Sequence, residues 1–254
     1  MEHELWFTAL LNKLLAGIVS PALTAVGVPP HDPAHPIPNY IAMETFVFVV
    51  IVAGVLILRR QLSVENPGKF QHLMEVVVEF VRDLAHEIIG HDSRRYVAML
   101  GTLGLFIVLC NLLGLIPTFA AFDPNYKVEL SPTGFKPVPL GCAIAAFLYY
   151  NYQGISHHGF FGYLKTFSGP LLWLSWLIFP VEIISNVFRL LSLTTRLWAN
   201  MLVGGLLEHV FGALVPVVVP AIMMGLHVFV SFIQAYIFML LPAVYLSLAV
   251  AEEH

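Results

Sequence analysis

The chain has 254 residues, 58% of them hydrophobic and 11% charged, with a formal net charge of −4 and a mean hydropathy of +0.82. Soluble domains carry about 25% charged residues, so this composition excludes a water-soluble globular protein and indicates a polytopic membrane protein. The small negative charge gives no footprint for nucleic acid. Cys110 and Cys142 both lie in apolar runs, which reads as buried small residues rather than a disulfide or a metal site.

The first 25 residues resemble a secretory signal only superficially, because Glu2 and Glu4 stand where a signal needs basic residues. Trp6, Leu10, Leu11 and Leu14 form an apolar stripe, which predicts a helix lying in the membrane interface. Pro29 to Pro38 is a proline-rich connector that cannot be helical. Ile41 to Leu58 is the first clear span and ends at Arg59 and Arg60. Between Pro67 and Gly90, Phe70, Met74, Val77, Val81, Leu84 and Ile88 recur at helical spacing. Glu75, Glu79, Arg82, Asp83 and Glu87 face away from them, so this stretch predicts an amphipathic surface helix. Tyr96 to Ile116 is the second span and Val138 to Tyr152 a short third, followed by a loop that holds His157 and His158.

From Pro170 the chain is almost continuously apolar to Val250, and Pro216 and Pro220 divide it into a hairpin. As one helix, the first arm (Leu171 to His209) would be about 58 Å long, nearly twice a hydrocarbon core of about 30 Å. It must tilt steeply, lie partly along the membrane, or break at Pro180. The last arm, Ala221 to Leu248, is also long for an upright span.

The expected fold is therefore all-α: about five membrane segments and a surface helix in a single membrane domain over residues 1–254. That domain divides into an external segment (1–40), the first spans with the surface helix (41–170) and the hairpin (171–254). Arg59, Arg60, Lys69, Arg82, Arg94 and Arg95 are half of the 12 Lys and Arg and share one loop. The positive-inside rule then puts that loop and the C-terminus in the cytoplasm and the N-terminus outside.

The polar residues of the hairpin are the ones with chemistry to explain. Glu182, Ser185, Arg189, Ser192, Arg196 and Asn200 are three or four residues apart and fall in one stripe. Lipid cannot satisfy such a stripe, so it faces protein or water. An arginine mid-membrane costs roughly 2.5–3.5 kcal/mol on insertion scales. Arg189 can pair with Glu182 or Glu208, whereas Arg196 has no carboxylate close by on its own face, which invites one from another subunit. Ser185 and Ser192 can also bond the backbone a turn earlier. A second stripe on the last arm comprises His227, Ser231, Gln234 and Tyr245, and Gln234 can lie near Arg196 across the hairpin. His227 is either a satisfied core histidine or a proton relay, since its unperturbed pKa is about 6.5.

Several stretches carry a family resemblance. TRLWANMLVGG (Thr195–Gly205) is similar to the signature of subunit a of the F-type ATP synthase, the stator half of its proton channel. NLLGLIP (Asn111–Pro117), ENPGKFQHLMEVVVEFV (Glu65–Val81) and FIQAYIFMLLPAVYLSLAVAEEH (Phe232–His254) resemble the same family in the same order. The resemblance implies a long tilted hairpin against a rotating ring of small subunits (the c-ring), with peripheral-stalk b subunits as further partners and no cofactor or metal. It identifies Arg196 with the essential arginine, Asn200 with its partner one turn on and Gln234 with the glutamine packed near that arginine. It likewise matches His227 to the polar residue of the exit-side relay and Glu182 to the acidic position earlier on the arginine helix. Arg189, Ser192, Ser231, Glu208 and Tyr245 are further candidates for the proton path. The sequence departs from the family pattern at Gly205, where some members carry a titratable residue paired with the position of His227. Glu208 or water is left to take that part. The implied location is the bacterial inner membrane.

Two other classes have less support. A self-contained secondary transporter needs repeated, broken helices, and neither repeats nor a carboxylate near Arg196 occur. A metal or haem enzyme needs a second ligand pair to join His157 and His158, and none stands at ligand spacing.

Overall fold

The computed structural model describes residues 6–25, 32, 35–114, 132–134, 136–166, 175–214 and 218–250, and every regular element among them is helical. The helices are α1 (Trp6–Ala25), α2 (Asn39–Gln61), α3 (Lys69–Ile89), α4 (Val97–Gly114), α5 (Pro137–Thr166), α6 (Ser175–Leu214) and α7 (Val218–Val250). Short 3-10 turns at His91–Arg95 and Pro132–Gly134 precede α4 and α5. The C-terminal residues 251–254, and most of the connector that contains Pro29 and Pro30, lie outside the described residues.

Five helices among the described residues are long and apolar enough to cross a membrane, and their membership differs from the expected set. They are α1, α2, α4, α6 and α7, whereas α5 falls short. The reason is local: the apolar run of α5 gives way to Asn151, Gln153, His157 and His158, while α1 stays apolar well beyond Leu14. α1 packs on this chain through its polar side and leaves the expected apolar stripe outward. Thr8 and Asn12 are buried, and Leu10 and Leu14 face outward. The Asn12 amide explains the choice, because it accepts from the Ile37 N–H at 3.0 Å and donates to the Ile37 carbonyl at 3.3 Å.

Several boundaries have clear causes. Gly90 ends α3 with φ +91°, a conformation that suits glycine. Gly159, at φ +72°, bends α5 within what was expected to be a loop, so His157 and His158 stand on helix rather than in a connector. α6 runs through Pro180 without a break, and α7 runs through Pro242. Pro180 lies close to the start of α6, where little of the intrahelical ladder is lost.

α7 is the centre of the bundle and touches α3, α4, α5 and α6. Successive helices from α4 to α7 alternate in direction. At one end Tyr96, just before α4, Tyr149 and Tyr150 of α5, Arg189 of α6 and Tyr245 of α7 converge. At the other end Thr133, just before α5, donates to Asn111 at the end of α4 at 2.7 Å. α3 lays Val81, Leu84 and Ala85 against this bundle and leaves Phe70, Leu73, Val76 and Phe80 exposed. The expected amphipathic helix is thus present, with an inner apolar face and a second, uncovered one.

Apolar side chains gain little from leaving lipid for protein, so helices in a membrane associate through close packing and polar contacts. The buried positions match: Ala42, Ala143, Ala146, Ala235 and Ala243 are almost fully covered. Gly104 of α4 is seated directly on the Met239 side chain of α7. A methyl group at Gly104 would collide with Met239, and overpacking of this kind costs about 1–3 kcal/mol. Gly104→Ala is expected to lower the thermal midpoint of the detergent-purified protein, and Met239→Ala in the same chain to recover part of the loss.

Candidate functional site

The stripe expected on the first long arm forms on one uninterrupted helix. Leu193, Leu197 and Met201 of α6 are buried against Ile107, Cys142, Ala235 and Phe238. The polar residues each precede this buried line by one position, about 100° around the helix. They therefore run along the margin of the packed face. Glu182, Ser185, Arg189 and Asn200 are half-buried there, while Ser192 and Arg196 are exposed. Beyond the margin α6 is bare: 11% of its most apolar window is buried, against 39% for α7. Arg196 consequently projects from a helix face that is left uncovered among the described residues.

The two arginines of the stripe have different surroundings. Arg189 Nη2 lies 3.2 Å from Glu182 Oε1, which selects Glu182 as its partner. Its guanidinium also sits 4.9 Å from the centre of the Tyr245 ring on α7. Arg196 has no ion pair, hydrogen bond or ring contact among the described residues. The Glu208 side chain lies outside the described residues. No hydrogen bond of Ser185 or Ser192 is present among the described residues; backbone bonding of the expected kind occurs at Thr194 and Ser231.

Behind the Arg189 pair lies a polar network that the pattern of stripes did not reveal. Tyr150 of α5 donates to Asn186 Oδ1 at 2.6 Å, and Asn186 Nδ2 donates to Asn151 Oδ1 at 3.1 Å. The Tyr163 hydroxyl donates to the same Asn151 oxygen at 2.9 Å. Tyr150 in turn packs against Tyr245, with ring centres 5.7 Å apart. Tyr150, Tyr163 and Asn186 are all buried, so the Tyr150–Asn186 bond is protected from water, while the two bonds to Asn151 are part-buried. Amides set in otherwise apolar helices were the available signal, since such groups join helices in a membrane.

On α7 the second stripe faces inward: Ser231 and Gln234 are buried, while His227 and Tyr245 are half-buried. Ser231 Oγ donates to the His227 carbonyl at 2.8 Å. Ala235 and Leu197 share one packed cluster, which brings the Gln234 level of α7 beside the Arg196 level of α6. No hydrogen bond links Gln234 and Arg196 among the described residues. The His227 ring packs on Gly204, where an added Cβ would lie 2.5 Å from Cε1. At Gly205, where some family members carry a titratable residue, a Cβ would meet open space among the described residues. His227 Nε2 is buried with no hydrogen-bond partner among the described residues. One further contact was unforeseen: Lys136, before α5, places its Nζ 4.3 Å from the Trp198 ring centre.

The arrangement can hold one neutralised cation, one uncovered cation and one imidazole along a single hairpin. Residues 41–247 match the family model described as "ATP synthase A chain". The chain is 46% identical to "ATP synthase subunit a" of Koribacter versatilis (strain Ellin345) over 254 residues, the full length of both. It is 45% identical to the subunit a of Solibacter usitatus (strain Ellin6076), covering 96% of this chain and 100% of that one. For the subunit a of Sulfurimonas denitrificans the identity is 36%, covering 83% of this chain and 94% of the relative.

Removing one partner from a buried hydrogen bond costs about 1–3 kcal/mol, whereas removing both can be nearly neutral. Asn186→Leu should therefore lower the thermal midpoint by stranding the Tyr150 hydroxyl, and adding Tyr150→Phe should restore part of it. A double variant no more stable than Asn186→Leu would dissociate the two groups.

Proposed function

The chain belongs to the ATP synthase subunit a family, a multi-pass membrane component of the proton-translocating Fo sector, and from that membership we propose that it is the stator of the proton channel. In this reading it has no catalytic site of its own. It provides two offset half-channels against a c-ring of rotor subunits, with peripheral-stalk b subunits and the bilayer as its other neighbours. The observation that carries the proposal is Arg196, exposed and unpaired among the described residues on a helix otherwise suited to lipid. A charge so placed needs an acidic partner, and a rotor carboxylate supplies one.

The mechanism follows from electrostatics. An adjacent cation favours the ionised form of a carboxylate, so a rotor site passing Arg196 gives up its proton. The same fixed charge blocks direct proton passage between the half-channels. Protons are then obliged to travel with the ring, driven by about 2.3 kcal/mol per charge per 100 mV. Asn200, one turn beyond Arg196, lines the same margin, and Gln234 stands at the Arg196 level of α7. Glu182, with Arg189 and Ser192, belongs to the half-channel at the α5–α6 polar end, where Tyr245 also lies. His227 and Ser231, with Glu208, belong to the half-channel near the α6–α7 turn. The positive-inside rule puts the first of these on the cytoplasmic side and the second outside, as in an inner-membrane protein whose N-terminus is external and C-terminus cytoplasmic. On that orientation His227 stands in the outer half-channel, the inlet during synthesis, and not in the exit-side relay to which the resemblance matched it.

Arg196→Ala is expected to abolish both proton-driven ATP synthesis and ATP-driven pumping in the assembled complex. Normal pumping by that variant, with normal assembly, would sink the proposal. His227→Ala should slow transport roughly a hundredfold, the lower end of what a positioned proton-transfer group contributes, and should change the pH–rate profile. An unchanged profile would favour a core histidine.

A further inference from the structure

Two arginines stand on one stripe of α6, seven residues apart, which is about 10.5 Å along the helix. A rotor carboxylate moving along a tilted hairpin would meet both. Two accessible cations would be a defect, because each stabilises the ionised carboxylate that the ring must reprotonate to turn. The surroundings of the two side chains differ in the way this demands.

We propose that Glu182 and Tyr245 form a clamp that withholds the charge of Arg189 from the rotor, leaving Arg196 as the cation that rotor carboxylates meet. The inference rests on the stator reading above and assigns Glu182 and Tyr245 a positioning role within it. Glu182 neutralises Arg189 at 3.2 Å from two turns upstream on the same helix. Tyr245 reaches across from α7 and covers the guanidinium at 4.9 Å. The Arg189 side chain retains 23% of its exposure. Tyr245 is itself held from behind by Tyr150, whose hydroxyl is bound to Asn186, and Asn186 is bound to Asn151. That backing network contains two amides, which do not readily take up and release protons near neutrality. It suits a brace that fixes the clamp better than a proton wire.

The test is a suppressor experiment in the assembled complex, reading proton-driven synthesis and ATP-driven pumping alongside the amount of complex purified. Glu182→Gln should slow both directions about tenfold, since one opposite charge shifts a carboxylate by at least about one pKa unit. Arg189→Gln added to it should restore most of that loss, while Arg189→Lys, which keeps the charge, should not. If Glu182 acts only as a proton carrier, Glu182→Gln/Arg189→Gln will be no faster than Glu182→Gln, and the clamp is overturned. Should Glu182→Gln fail to assemble, the comparison moves to Tyr245→Leu, which leaves the carboxylate in place. Relief of its slowing by Arg189→Gln supports the clamp, and no slowing or no relief overturns it. Arg196→Ala is measured in parallel: if it pumps normally the stator reading has failed, and if it is inactive while Arg189→Gln gives no relief, only the clamp has failed.

Discussion

A guanidinium cannot shed its proton at biological pH, and hydrocarbon offers nothing to pair with it. Each arginine in a membrane helix must therefore be matched by protein or water. α6 meets that constraint in two ways within two turns. Arg189 is matched inside the chain, by a carboxylate and an aromatic face. Arg196 is left on the uncovered side. The rest of the architecture is arranged around this difference, because the helix that carries an uncovered charge is stable only if something outside the chain completes it.

Packing makes the internal match possible. Interfaces built from alanine and glycine let α4, α5, α6 and α7 approach closely enough for side chains to bond across them. The Tyr150–Asn186–Asn151 chain depends on that approach. Gly204 serves the same end nearer the turn, where its missing Cβ leaves room for the His227 ring. A small residue there is a steric requirement, and a bulkier one would displace the imidazole.

Much of this was legible in the residues. Hydropathy, proline punctuation and the three- and four-residue spacing of the charges sufficed for the helices, the hairpin and the stripe, because each depends on near neighbours in sequence. Motif resemblance pointed to Arg196 and to the family. What stayed hidden were contacts between distant segments. Asn151 and Asn186 are 35 residues apart, and nothing local marks them as partners. The seat of His227 on Gly204 was hidden for the same reason: the rotation of α6 against α7 decides which residue meets the ring, and the motif alone does not carry that rotation. The apolar lengths of α1 and α5 also differ from the expected ones: α1 keeps its apolar character past the leucine stripe, and the apolar run of α5 gives way to Asn151, Gln153, His157 and His158.

The length of α6 then acquires a purpose. Its 40 residues extend about 60 Å, twice the hydrocarbon thickness of about 30 Å, so with no break at Pro180 it is left to tilt or to run partly along the membrane. Glu182 and Gly204, the seat of His227, are separated by about 33 Å along the axis, with Arg196 between them. In an upright helix that distance would be spent crossing the membrane. In a tilted one, much of it becomes displacement within the membrane plane. Two polar regions on one helix can then open toward opposite faces while standing side by side along the rotor. On the proposed stator reading, offset access of this kind, with an uncovered cation between the two regions, is what would make rotation the only continuous route for a proton.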